Sequence, residues 1–475
     1  MAGARVAVIG GGIAGLTAAR VLRQRMPMAS IVVLDAGARL GGKLRVAEVG
    51  GVRVDVGAES VLARRPEALE LIGSLGLGAA LVHPATAGAA VWSRGALVPL
   101  PPRTLMGVPS DPASASTLLT GAELRRLEEE PPRSPALTAA DVSVGDFVSA
   151  RLGGAVVERL VEPLLGGVYA GHAHALSLRA TVPALWQAAV SGASLTATAA
   201  RATSSAAADA GPVFAGLGGG VASLVDALER DLRLTGVEVH TRATVRELHR
   251  TAGGWRLVTG PVPAPQALDV DAVVLATPAT PAARLLAPHT AAAAADLVAV
   301  DYASLAIVTL ALPRAGMPPL GGSGLLVPPV EGRVIKAATF TSQKWAWVSA
   351  AAPELVLLRA SIGRHGQEQD LQHDDDALVS TALRELSEAV GSRLPAPLDR
   401  HVQRWGGSLP QYAVGHLDRV RRVRAAVAAL PGLALAGAAY DGVGIPACIA
   451  SGRLAAEQVA THLAGRPATA ATMEP

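Results

Sequence analysis

Short apolar runs and helically spaced runs take turns along this chain. Arg5–Ile9 and Ser30–Leu34 are apolar after their first residue, the pattern of a strand buried on both faces, and Leu16–Leu22 between them has helical spacing. Further on, helical patterns cover Val144–Leu165, Leu178–Val190 and Val221–Leu232. Strands are expected at Val91–Arg94, Val237–Thr241, Ala243–Leu248, Asp271–Pro278, Ala303–Leu312 and Glu354–Ile362. A charged helix is expected over Asp375–Val390, and a last helix opens at Val443–Pro446 and keeps its apolar face through Ile449, Leu454 and Val459. The charged stretch Glu123–Arg133 predicts a solvated face, and the small, polar residues 191–211 predict a mobile loop. Alternating strands and helices make this an α/β chain.

The first strand runs straight into Gly10-Gly11-Gly12-Ile13-Ala14-Gly15, and the second ends at Asp35, twenty residues past Gly15. Strand, G-x-G-x-x-G, helix, strand and acid form a dinucleotide-binding unit. Gly10 makes the tight turn, Gly12 lets backbone approach a pyrophosphate, and Gly15 lets the helix lie close on the strand. Exposed amides at the positive end of the helix dipole hold phosphate, and Asp35 accepts from a ribose hydroxyl. The spacing alone leaves NAD and FAD open. Asp35-Ala36-Gly-Ala-Arg39-Leu-Gly-Gly42-Lys43-Leu-Arg45 then continues into a second glycine pair where a simple NAD unit begins another crossover helix. This stretch resembles the extended nucleotide-binding motif of the FAD amine oxidase and phytoene desaturase superfamily, with Asp35 in place of the more common Glu.

Further matches follow in order. Asp55-Val-Gly57-Ala58-Glu59-Ser60 resembles the strand and turn that passes near the flavin ring in that superfamily. Val161-Glu-Pro-Leu-Leu-Gly-Gly-Val-Tyr169-Ala-Gly171 resembles a segment of porphyrinogen oxidases. Lys336–Trp345, Leu357–Arg359, Pro410–His416 and Ala436–Pro446 resemble later segments of the same enzymes. From about residue 5 to 463 the chain resembles bacterial, HemY-like protoporphyrinogen/coproporphyrinogen oxidases.

That resemblance implies a Rossmann-like, GR2-type FAD-binding domain, discontinuous in sequence, with a mixed α+β substrate domain and a helical cap. The expected bounds are 1–85, 213–285 and 400–465 for the FAD-binding domain, 86–212 for the cap, 286–399 for the substrate domain and 466–475 for a flexible tail. It implies FAD-dependent oxidation of coproporphyrinogen III with O2 in three two-electron steps, flavin N5 accepting hydride and H2O2 being released. Protoporphyrinogen IX oxidation, or an amine oxidase or carotenoid desaturase activity, is the alternative. No side chain is assigned as a catalytic base. Two backbone cradles, one at Gly12 and one at Gly444, are expected to grip opposite ends of one FAD. Cofactor contacts are expected from the glycine turn, Asp35, Ala36, Arg39, Gly42, Lys43, the residues 57–60, Val245 by its backbone, Trp405, Gly437, Val443, Gly444 and Ile445. Arg94, Tyr169, Lys344 and Tyr412 are the substrate candidates. The carboxylates of the substrate call for cations, and Thr86–Ala90, where some relatives carry a propionate-binding arginine, has none. Arg64 and Arg65 are further candidates, and His416, like Tyr169, is a candidate for hydrogen-bonding the site or steadying its loops.

Composition narrows the rest. Forty-two Lys and Arg against thirty-nine Asp and Glu leave a net charge of only +3, with no basic block, so nucleic acid is set aside as a partner. Cys448 is the single cysteine, which excludes a disulfide and a zinc cluster; it is displaced from the attachment point of covalent flavins, so FAD is expected to be noncovalent. His172 and His174 read as solvated loop residues, and no metal site is expected. No apolar run suggests a membrane span. A cytoplasmic protein is expected, with contact at the inner membrane face left open, as a monomer or homodimer that passes product to ferrochelatase or another haem-pathway enzyme.

Overall fold

The computed structural model describes residues 3–86, 88–208 and 211–465, so the expected tail at 466–475 lies outside the described residues. In chain order, β1 (Arg5–Ile9), α1 (Ile13–Arg25), β2 (Ser30–Leu34) and β3 (Val52–Asp55) come first. β4 (Ala90–Ser93) and β5 (Ala96–Pro99) precede a helical stretch that includes α2 (Glu162–Tyr169) and α3 (Leu195–Ala208). α4 (Ser223–Leu234), β6 (Glu238–His240) and β7 (Ala272–Leu275) follow. Next are β8 (Tyr302–Pro313), β9 (Gly324–Leu326), β10 (Ile335–Thr339), β11 (Leu355–Ile362), α5 (Asp375–Ala389) and β12 (Asp399–Pro410). α6 (His416–Ala428), β13 (Leu433–Leu435) and α7 (Ile445–Ala464) close the fold.

Five strands form a parallel sheet in the order β6-β2-β1-β7-β13, so three distant stretches of sequence meet in one layer. Alternation along β1 splits the core. Val6 and Val8 pack with Leu16, Leu228 and Ile449 from α1, α4 and α7, while Ala7 and Ile9 pack on the other face with Trp255, Leu257 and Val423. Both faces are covered, as a parallel sheet requires. Each fully buried Val or Leu contributes about 1.5–3 kcal/mol. α1 starts at Gly12 and stops at Met26, before Pro27, with Arg23 and Arg25 on the last turn where cations suit the dipole.

A seven-stranded sheet, β12-β8-β11-β10-β9-β4-β5, makes the second layer. Val308, Leu310 and Leu312 of β8 face Leu378, Ala382 and Leu386 of α5. Ala303, Leu305 and Ile307 point the other way, toward Ala170 and Trp405. That second face borders the candidate site.

Four expectations need correction. The helix expected over Val144–Leu165 is broken at Gly153 (φ 93°) and by a π-helical turn, Val157–Val161. The helix expected over Leu178–Val190 breaks at Val182, whose φ/ψ of −134°/70° reflects the exclusion of helical geometry before Pro183. Most of the expected loop 191–211 is helix α3. Its start is capped by Glu130, whose carboxylate accepts from the Leu195 and Thr196 amides at 2.5 and 3.0 Å and pairs with Arg151. Glu130 itself was expected on a solvated face, yet its side chain is 2% exposed. A cap supplied by tertiary structure overrode local composition.

Candidate active site

The turn between β1 and α1 admits only glycine where it matters. Gly10 has φ 110°, and a Cβ there would stand 2.5 Å from the Ala276 carbonyl oxygen. A Cβ on Gly15 would stand 1.9 Å from the Gly10 carbonyl oxygen. At Gly12, the residue that caps α1, a Cβ would meet nothing within 4 Å, and no acid lies in the first turn. Open space in front of an uncompensated helix start, with Ile13 and Ala14 buried behind it, fits an anionic group.

Asp35 braces this turn: its two carboxylate oxygens accept from the Gly11 amide (2.6 Å) and the Gly37 amide (2.7 Å). Each oxygen keeps a second lone pair for a hydroxyl. Arg39 spans the next loop, donating to the carbonyls of Leu40, Leu44 and Gly42. The Gly41 amide donates to the Gly11 carbonyl at 2.8 Å, which docks the second glycine pair on the first; Gly42 and Lys43 are exposed beside it, as is Ala36. Val245 lies in an irregular stretch rather than the expected strand. The Ala243 amide, two residues earlier, donates to the Asp35 carbonyl at 2.8 Å and holds this stretch near the acid.

β3 leads into the turn at Gly57, where a Cβ would meet the Lys43 carbonyl oxygen at 2.1 Å and the Trp405 ring at 3.1 Å. Trp405 Nε1 donates to the Val56 carbonyl at 2.9 Å, so the indole is fixed edge-on to this turn. Ala58 is exposed and Ser60 half-buried. Glu59 takes both the Lys344 ammonium and the Arg359 guanidinium, and Arg359 also donates to the Gly57 carbonyl at 2.7 Å. Burial alone would raise the Glu59 pKa, but the two cations overcome it and bring it to about 2. Asp55, on the same strand, accepts from the Val221 and Ala222 amides and has no such cation in contact; burial pushes it up to about 6.

The other cradle is the start of α7. Gly444 caps it, Pro446 sits in its first turn, and no acid follows. The approach loop contains Gly437 (φ 126°) and Gly442 (φ 132°). Tyr412 holds it from below: the hydroxyl donates to the Ala438 carbonyl (2.6 Å) and accepts from the Gly442 amide (2.7 Å). Ser451 accepts from the Gly437 amide at 3.1 Å and donates to Asp441. Val443 and Gly444 are half-buried or exposed at the mouth, and Ile445 is buried behind them. α1 and α7 touch backbone to backbone, since a Cβ on Gly452 would stand 2.2 Å from the Ala14 carbonyl oxygen. Gly444 is about 12 Å along α7 from that contact at 1.5 Å per residue, a span that one extended dinucleotide crosses.

The segment 161–171 folds as a π turn followed by α2 and joins the second cradle. Tyr169 packs on Tyr412 with ring centroids 5.6 Å apart, and Gln411 donates to the Tyr169 carbonyl at 2.8 Å. His416 also stacks on Tyr412, with ring centroids 3.9 Å apart. His416 is fully buried with no partner on either ring nitrogen, and burial lowers its pKa to about 4. It therefore acts as a packing plate and makes none of the hydrogen bonds expected of it.

Two of the four substrate candidates have their charge engaged within the chain. Lys344 is paired with Glu59. Arg94 has φ 52°; its guanidinium grips both oxygens of Glu123 at 2.8 Å and donates to the Leu118 carbonyl at 2.6 Å. Arg65 pairs with Glu67, and Arg64 is exposed. His172, expected in solvent, is half-buried and hydrogen-bonds Glu162 at 2.9 Å; His174 is the exposed one, beside Asp146. Glu162 was missed: it is 7% exposed and accepts from the Ala173 amide at 2.6 Å, which locks the turn after α2. Its place inside the segment 161–171 was the available signal. Arg359 and Gln411 also stood unassigned within recognised segments.

Among known proteins, the model of the family described as flavin containing amine oxidoreductase matches residues 13–460. A protein named coproporphyrinogen III oxidase from Mycobacterium leprae is 40% identical over 464 residues, covering 96% of this chain and 98% of its own length. One of the same name from Bacillus subtilis is 32% identical, covering 96% of this chain and 98% of its own. A crystal structure from Exiguobacterium sp. 255-15, provisionally named protoporphyrinogen oxidase, superposes with a TM-score of 0.84 at 32% identity, covering 96% of this chain and 99% of that one.

Proposed function

The chain belongs to the flavin containing amine oxidoreductase family and is an FAD-dependent oxidoreductase, and we propose that it oxidises coproporphyrinogen III to coproporphyrin III in haem biosynthesis. The observation that carries this reading is the segment 161–171 wedged through Tyr169 and Gln411 against Tyr412, which in turn holds the loop before α7. Relatives named for this reaction, similar over nearly the whole chain, support it.

When bound, FAD supplies the two-electron acceptor for each of three steps and returns the electrons to O2. The chain's part is placement. The amides that open α1 at Gly12 suit the pyrophosphate, and those that open α7 at Gly444 suit negative charge at the far edge of the cofactor. Trp405 stands against the turn at Gly57, fixed by the Val56 carbonyl. Tyr169 and Tyr412 keep their phenol protons at neutral pH, since burial raises both pKa values, that of Tyr169 to about 12. With their protons retained, neither serves as a base. Burial also raises the Cys448 thiol to about 12, which supports noncovalent FAD because a covalent link would need the thiolate.

Hand-over to ferrochelatase or another haem-pathway enzyme, and a cytoplasmic site of action at or near the membrane, belong to the same proposal. Among the described residues no helix is long and apolar enough to cross a membrane. A second reading, protoporphyrinogen IX as substrate, is favoured by the Exiguobacterium likeness. The test incubates the yellow holoenzyme in air with each porphyrinogen separately. Porphyrin fluorescence is expected to rise faster with coproporphyrinogen III; faster turnover of protoporphyrinogen IX would favour the second reading, and no rise with either would overturn both.

A further inference from the structure

Lys336 is a buried cation without an anion. It lies in β10 and is 6% exposed. The pairing of β10 with β11 shifts between Ile335 and Ala337, leaving Lys336 as the extra residue of a bulge, a device that re-aims a side chain. Among the described residues no hydrogen bond or ion pair reaches its ammonium. Its charged neighbour is Arg364, of like sign and 4% exposed. Arg364 is already engaged with the carbonyls of Arg333 and Val327 at 3.2 and 3.0 Å. Three carboxylates act on Arg364: Glu385 takes the Val334 and Ile335 amides, Glu162 takes His172 and the Ala173 amide, and Asp370 lies beside Arg364 and not Lys336. Overhead, α2 packs across β9 and β10, with the Leu326 side chain against Gly167.

A buried ammonium is expected to be paired, and two cations side by side repel. This arrangement leaves positive charge unbalanced under the segment 161–171, to be met by a negative charge from outside. We propose that Lys336 receives a propionate carboxylate of the porphyrinogen. This assignment rests on the porphyrinogen reading and adds a residue to it. Desolvation, then Arg364, lowers the Lys336 ammonium to about 8, so it is still largely charged at neutral pH and gains from an arriving carboxylate.

The test measures binding of coproporphyrin III and of its tetramethyl ester, which has no carboxylate, to FAD-loaded wild type, Lys336→Met and Lys336→Arg. Lys336→Met is expected to weaken coproporphyrin binding by about tenfold or more, the loss of one charge-assisted hydrogen bond. Ester binding should be unchanged, and Lys336→Arg should recover most of the loss. Because Met removes an unpaired buried charge, this variant should melt at or above the wild-type temperature. Equal coproporphyrin affinity in wild type and Lys336→Met, equal losses on acid and ester, or a lower melting temperature would each overturn the assignment. Failure of the wild type to oxidise either porphyrinogen would instead remove the reading beneath it.

Discussion

The two candidate cradles are both helix starts without an acid in the first turn, yet they are built by opposite means. At Gly10–Gly15 the backbone shape is enforced by the lack of side chains: a Cβ at Gly10 or Gly15 would overlap a carbonyl oxygen. At 437–444 the shape is held from outside, by the Tyr412 hydroxyl bridging Ala438 and Gly442 and by Ser451 on Gly437. At Gly10 and Gly15 the first cradle has almost no tolerance for substitution. The second depends on a residue that also touches the segment 161–171, so it can sense what lies there. A nucleotide anchor needs rigidity, whereas the reacting edge of a cofactor benefits from a link to the substrate side.

The largest expected effect comes from Gly15→Ala. With 1.9 Å between the new Cβ and the Gly10 carbonyl oxygen, α1 must move off β1, at about 3 kcal/mol or more. The protein is expected to purify colourless with a lowered melting temperature. Gly12→Ala separates steric need from ligand need: its Cβ enters open space, so folding should change by less than about 0.5 kcal/mol while FAD affinity falls. Equal behaviour of the two variants, measured by flavin absorbance and thermal melting, would break the contrast.

Between the cradles, Asp55 and Glu59 test the electrostatics. Removing Glu59 strands two cations, and Glu59→Gln is expected to destabilise by about 3 kcal/mol, in the range for breaking a buried pair. The pH signs are opposite. Glu59, depressed to about 2 from its ordinary 4.5, contributes stability above pH 4.5 that is lost as pH falls through 2. Asp55, raised to about 6 from 3.8, contributes stability below pH 3.8 that is lost as pH rises through 6. The pair together favours the fold most near pH 4. Denaturant titrations should show the acid limb flattened in Glu59→Gln and the fall from pH 4 to 6 flattened in Asp55→Asn.

A smaller effect is expected from Tyr412→Phe, which keeps the ring stack and strands the Gly442 amide. The loss should be about 1–3 kcal/mol, with faster hydrogen exchange confined to 437–444 and weaker FAD binding. Unchanged exchange there would mean that the loop stands without its brace.

What could be read in advance follows the same division. β1 and β2 match their expected bounds residue for residue, because a strand buried on both faces writes its environment into every position. The glycine turn was equally legible, since glycine at fixed spacing has few other causes. Long-range braces left no periodic trace. Glu130 capping α3 from a charged stretch, Glu162 locking the turn at Ala173 and Glu59 drawing in Lys344 are each a single acid whose partner lies far off in sequence or depends on the fold. Lys344 and Arg94 looked like cations for a substrate because charge was visible and its partner was not.

His416 gives the smallest expected effect and the sharpest view of the second cradle. It touches Tyr412 face to face at 3.9 Å with rings 14° apart. Its ring nitrogens are buried and unsatisfied, and burial with Arg419 nearby keeps the ring neutral down to about pH 4. Two roles predict different outcomes for His416→Phe. If the imidazole only supports the Tyr412 ring, phenylalanine supplies the same face without orphaned nitrogens, and stability should stay within about 1 kcal/mol of wild type or rise. FAD affinity and exchange at 437–444 should then match wild type, while His416→Ala, which removes the plate, should loosen both. If instead a nitrogen of His416 takes part in the chemistry, the Phe variant would keep its fold and its flavin but lose turnover, and the steric account of this cradle would fail.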